Sequence, residues 1–110
     1  KVAEARQGES SKNIRKRVVR ARQIQEARFQ NSTTRNNSGM KRRELESHAQ
    51  LSDPSQKILE QAMTKMGLSA RAYDRILKVA RTIADLAEEQ NIDTIHVAEA
   101  IQYRNLDRPI

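Results

Sequence analysis

The sequence predicts an all-α fold, a small bundle of four to five helices. Three observations carry this. Helix formers such as Ala, Arg, Glu, Gln, Lys and Leu abound, while 3 Gly and 2 Pro interrupt 110 residues. Apolar residues recur at helical spacing, most clearly over "ARAYDRILKVARTIADL". Start and stop signals bracket the periodic stretches. The composition is 36% hydrophobic with one Phe and no Trp, so the core is small and built from Leu, Ile, Val, Met and Ala.

Residues 1–8 have no clear period and read as a connector. The stretch "GESSKNIRKRVVRARQIQEARF" starts a helix, with Ser10 or Ser11 as cap and Glu9 favouring the positive end of the dipole. Ile14, Val18, Ala21 and Gln25 follow helical spacing, and Val19 and Ile24 widen the stripe. This helix is expected to end near Phe29. "QNSTTRNNSG" is polar and turn-rich, hence a loop. Helix and loop together are expected to pack loosely.

A short helix over "MKRRELESHAQL" has Met40, Leu45 and Leu51 as anchors. In "SDPSQKILEQAMTKMG" Ser52 or Asp53 caps, Pro54 suits the first turn, and Gly67 stops the helix. Its expected buried stripe is Ile58, Leu59, Ala62, Met63 and Met66. The longest helix is expected from Ser69 to about Glu89, with Tyr73, Ile76, Leu77, Ala80, Ile83, Ala84 and Ala87 on its apolar face. Asp93 or Thr94 caps the last helix, which is expected to bury Val97, Ala98, Ile101 and Tyr103. "NLDRPI" then leaves as a tail.

The net charge of +7 is unevenly spread. Residues 1–43 hold 13 basic and 3 acidic residues; residues 44–110 hold 8 and 11. Arg15, Arg17, Arg20, Arg22 and Arg28 thus form a candidate basic surface for DNA or an acidic partner face. With no cysteine, disulfides and Cys-ligated zinc are excluded and a cytoplasmic setting is expected. No apolar run reaches the roughly 18 residues of a membrane span. The start lacks a signal-peptide core and an initiator Met, so a fragment of a longer protein is expected.

Autonomous catalysis finds no support. There is no GxxxxGK[ST] loop, no HExxH and no GxSxG turn. His48 and His96 are far apart, without spaced ligand partners, so no metal site is expected. Glu88 and Glu89 sit at an exposed helix end.

Arg71 is the anomaly. Ser69 as cap puts it in the first turn of a helix, where a cation costs roughly 0.3–1 kcal/mol. Arg71, Arg75 and Lys78 share a face. Asp74→Lys78 and Arg81→Asp85 are expected surface pairs, with Asp74 also a partner for Arg71. A helix start and an arginine converging at one point suit a phosphate.

"GLSARAYDRILKVARTIADL" and "IDTIHVAEAIQYRNLDR" resemble the C-terminal end of the magnesium-chelatase-related AAA+ ATPases of bacteria, the YifB/ComM family. "GESSKNIRKRVVRARQIQEARF" and "NNSGMKRRELESHAQLSDPSQKILEQAM" resemble the same family just beyond its ATPase core. The resemblance covers residues 8–108. It implies a helical AAA+ lid over 9–108, a connector from a missing ATPase core at 1–8, and a tail at 109–110.

In such lids an arginine at the start of a long helix is the sensor 2 residue. The resemblance puts that role on Arg71, with Arg75 the alternative and Ser69 and Ala70 at the helix start near phosphate. It implies ATP and Mg2+ as cofactors of the full-length protein, none bound by the fragment alone, which is not an enzyme by itself. The implied partners are its own core domain, a homo-oligomeric ring (a hexamer) and DNA as remodelled substrate. Arg71 could act on its own subunit's nucleotide or the neighbour's. The reading from a different class is a stand-alone basic helical nucleic-acid-binding module.

Overall fold

The computed structural model describes residues 10–107, the last four as backbone only. The expected connector at 1–8, Glu9 and the end of the expected tail, 108–110, lie outside the described residues. Among those described, five α-helices and one 3-10 turn account for the regular structure, with a single isolated parallel bridge between Leu51 and Ile92. The helices are α1 (Ser11–Arg28), α2 (Arg42–His48), α3 (Asp53–Met66), α4 (Ala70–Leu86) and α5 (Thr94–Asp107), and the 3-10 turn is Asn37–Gly39.

Local chemistry sets the boundaries. Ser10 caps α1, its hydroxyl accepting from the Asn13 amide at 3.1 Å. Glu44 in the first turn of α2 reaches back to the Lys41 amide, 3.2 Å away, supplying half a capping box. Ser52 caps α3 and Pro54 occupies its first turn. Gly67 ends α3 at φ 60, a left-handed conformation that a Cβ would strain, and the Leu68 amide folds back onto the Met63 carbonyl.

α4 stops at Leu86, short of the expected Glu89. Glu88 adopts φ 57 and the Glu89 amide returns to the Ala84 carbonyl at 2.8 Å. This left-handed turn redirects the next two carbonyls toward the interior. Asp93 opens α5: its carbonyl accepts from the Val97 amide and its carboxylate from the Thr94 amide.

α4 is the central strut. α5, α1, α2 and the 3-10 turn all pack on it, while α3 packs on α5. The core is Leu59, Ile76, Leu77, Ala80, Ala84, Ile92, Val97 and Ala100, extended by Phe29, Met40, Leu45 and Ala49. Fully buried Ala80, Ala84 and Ala100 let α4 and α5 approach closely. Phe29 meets the His48 ring edge-on, centroids 5.7 Å apart.

Several expectations fail for identifiable reasons. α1, at 18 residues, exceeds the 17 of α4. Its expected stripe is not buried: Ile14, Val18 and Val19 stay exposed and only Ala21 is fully covered, because the part of α1 before Ala21 runs past the bundle. The loop after it is not loose. Thr34 and Asn37 are buried, since loop side chains find hydrogen-bonding partners inside.

In α3, Ser55 is fully buried while Ile58, Ala62, Met63 and Met66 are half-covered. Ala87 is exposed, because the turn after Leu86 takes it off the apolar face. In α5, Ala98 and Tyr103 are exposed, and His96 and Ala100 take the inner positions. The helix also continues through the expected tail to Asp107.

Glu44 holds the loop down. Its carboxylate accepts from Ser32 and Thr34 hydroxyls at 2.8 and 2.7 Å. Those bonds, Thr34 first, hold its pKa below the ordinary value. Burial, followed by Arg28, holds the His48 pKa down too. In both cases the unfolded chain takes up the proton more readily, so stability is complete above the ordinary values and lost as pH falls. Thermal melts from pH 7 to pH 3 are expected to show a falling melting temperature, with a shallower acid limb in Glu44→Gln.

Candidate functional site

The start of α4 is built as a free helix terminus. The Ser69 hydroxyl accepts from the Ala72 amide at 3.2 Å, and the Ser69 carbonyl from the Tyr73 amide at 3.0 Å. The first turn holds no acidic residue. Ser69, Ala70, Arg71 and Arg75 are all exposed. Helix geometry leaves the amides of Ala70 and Arg71 without intrahelical acceptors, so they face outward with partial positive charge.

The two arginines differ. Arg75 has an intramolecular partner, whereas the Arg71 side chain makes no hydrogen bond or ion pair among the described residues. The expected Asp74 partner for Arg71 or Lys78 is taken elsewhere: Asp74 bonds Arg42 of α2 at 3.1 Å. α2 crosses α4 there, so tertiary packing supplies a cation that sequence neighbours do not. Arg71 is left unneutralised at the positive end of the dipole.

The basic set divides. Arg15, Arg17 and Arg22 lie exposed on α1, and Lys12 and Lys16 join them, with no acidic residue in α1 before Glu26. Arg17 has an intramolecular partner. Arg20 bonds Glu88 at 2.9 Å across the gap to the α4–α5 turn, both side chains remaining well exposed. Arg28 does not belong to this surface. Its side chain is 11% exposed and grips Asp85 through two bonds of 2.8 Å. It lies at the end of α1, in the half of the helix that packs on the bundle.

Around Asp85 lies a network that the sequence reading missed. Asn37 accepts from Arg28 and donates to Asp85, each at 2.8 Å, and also donates to Thr82 at 3.1 Å. Arg81 approaches Asp85 at 3.2 Å. It also donates to the carbonyls of His48, Glu89 and Gln90. The Arg81→Asp85 pair, expected at the surface, is therefore interior: the side chains are 6% and 1% exposed. A signal was present, since Arg81 falls four after Leu77 and three before Ala84, on the apolar face. Burial lowers the Arg81 pKa while Asp85 opposes it; an arginine stays charged at neutral pH even so.

Among the described residues no group of three or more His, Cys, Asp and Glu could hold a metal ion, and no helix is long and apolar enough to cross a membrane. His96, buried in α5, has its Nδ1 accepting from the Asp93 amide at 2.8 Å, a structural use.

The buried carboxylate separates from the surface pairs in a mutational contrast. Asp85→Ala leaves Arg28 and Arg81 without their carboxylate and is expected to cost about 3–5 kcal/mol in chemical denaturation. Arg20→Ala is expected to cost at most about 1 kcal/mol. Equal costs would contradict the interior assignment of Asp85.

The model of the family described as "Magnesium chelatase, subunit ChlI C-terminal" matches residues 8–104. The competence protein ComM of Haemophilus influenzae is 45% identical over 101 residues, covering 92% of this chain and 19% of that protein. The protein named YifB of Escherichia coli is 40% identical over 101 residues, 92% of this chain and 19% of its own length. Its namesake in Salmonella typhimurium is 38% identical over 104 residues, 94% and 20% of the two lengths. The chain thus spans about a fifth of the length of these curated relatives. No solved structure matches.

Proposed function

From the premise that the chain belongs to the magnesium chelatase subunit ChlI C-terminal family, as the C-terminal domain shared with YifB and ComM, we propose that it is the lid that completes an ATP site. The carrying observation is Arg71: exposed, at a capped helix start, and unpartnered among the described residues. A γ-phosphate brought by an ATPase core would meet two kinds of donor there. The outward amides of Ala70 and Arg71 offer the helix dipole, and the guanidinium offers a planar fork. ATP supplies the phosphoryl group to be transferred, and Mg2+ would be held by residues outside this domain.

Arg71 would then stabilise charge that develops on the phosphoryl oxygens. The awkward position becomes useful, because dipole and side chain act on the same anion. α4 is anchored at its far end by the Asp85 network, so the lid would move as a rigid body with the nucleotide state. The remodelled substrate in this reading is DNA, in keeping with the name of the competence relative.

ATP hydrolysis by the full-length protein tests this. Arg71→Ala is expected to lower turnover by about 100-fold, the typical loss of one transition-state charge donor. Arg71→Lys is expected to recover only part, since the fork is lost. Near-normal turnover in Arg71→Ala removes the residue from the mechanism, and a defect confined to Arg75→Ala moves the role there.

The exposed cations of α1 favour a second reading, a stand-alone nucleic-acid-binding module. Binding of duplex and single-stranded DNA to this chain at two salt concentrations discriminates. The lid reading expects weak binding. Tight binding that drops steeply with salt, and that Arg15→Glu with Arg22→Glu abolishes, supports the module.

A further inference from the structure

The junction around Asp85 leaves formal charge unbalanced. Arg28 and Arg81 each carry a full positive charge, and Asp85 is the carboxylate that both engage. The carbonyls that Arg81 also bonds contribute dipoles, not charge. Arg81 is more than nine-tenths buried, and its Nε has no hydrogen-bonding partner. Arg28 spends three of its five N–H donors on Asp85 and Asn37.

Arg28 and Arg81 both line a pocket of about 290 Å³, with Ser47, His48, Gln50 and Asn91 among its other walls. At about 30 Å³ per water in the liquid, it has room for a tetrahedral oxyanion with several waters. Gln50 and Asn91 are exposed at its rim. We propose that this pocket binds a small oxyanion of phosphate type, seated against Arg28 and closing the charge balance of the Arg28–Arg81 pair.

The chemistry favours an anion over a cation or an apolar group. The walls are polar, and amide and hydroxyl groups at the rim can donate to oxygen. A partly buried positive excess attracts an anion more strongly than the same charge in water. His48 reports on the field. Burial first and then Arg28, with Arg81 adding to them, depress its pKa, Glu44 on the same helix opposes them, and Asp85 pairs with the two arginines. The pocket is separate from the start of α4: Arg81 lies ten residues beyond Arg71, about 15 Å along the helix. The proposal therefore stands or falls apart from the role of Arg71.

NMR titration of the chain tests it, with inorganic phosphate and with sulfate, whose charge stays constant, each against sodium chloride at equal ionic strength. The expected result is a saturable rise in the titration midpoint of His48, with amide shifts at Ser47, Gln50 and Asn91. Gln50→Glu adds a carboxylate at the rim without touching the buried bonds. It is expected to raise the His48 midpoint unaided and to weaken phosphate binding by about tenfold or more. Three outcomes overturn the proposal: chloride moving His48 as far, oxyanion shifts gathering at Ser69 to Ala72 instead, or Gln50→Glu binding phosphate undiminished.

Discussion

Two guanidiniums from different parts of the chain close on one buried carboxylate. Arg28 ends α1, Arg81 and Asp85 lie one turn apart on α4, and Asn37 comes from the loop between α1 and α2. Through these four residues, with the carbonyls that Arg81 bonds, the network ties together α1, the 3-10 turn, the end of α2 and the α4–α5 turn. Desolvating such charges costs several kcal/mol each, which good geometry and full pairing must offset. Here the Arg28–Asp85 contact is bidentate, the strongest form of such a pair. A core with one Phe and many Ala has little apolar area to specify which helices meet. Directional bonds add that specification.

The left-handed Glu88 belongs to the same construction. A non-glycine residue in that region costs roughly 1–2 kcal/mol. The turn it makes sends the Glu89 and Gln90 carbonyls onto Arg81, and its own side chain meets Arg20. Local strain is thus coupled to burial of the arginine. At the opposite end of α4 the Arg71 side chain has no comparable bonds among the described residues, and Arg42 has taken Asp74. One end of the strut is tied inward by several charged and polar bonds, and the other presents charge outward.

Legibility followed the range of the forces. Ser10, Ser52, Ser69 and Gly67 act within one helical turn, and each was readable from its neighbours. The apolar face of α4 was readable because six of its residues follow one period. Burial of α1 was not, because Ile14 and Val18 have the right spacing but no surface beside them to cover them. Asn37 was unreadable for the opposite reason. An asparagine in a polar loop looks solvated until Arg28 and Asp85 arrive from residues far along the chain.

By itself the sequence determined the helical class, the caps and stops, and a family pattern that places Arg71 at a helix start. Those features depend on spacing within a few residues, which the linear order preserves. Tertiary structure alone decided which charges are interior and which are free. It drew Arg28 out of the basic surface, moved Arg81 and Asp85 from surface pair to core, and gave Asp74 to Arg42. The reason is physical: the effect of a charge depends on its dielectric surroundings and partners, and both are set by chain segments dozens of residues away.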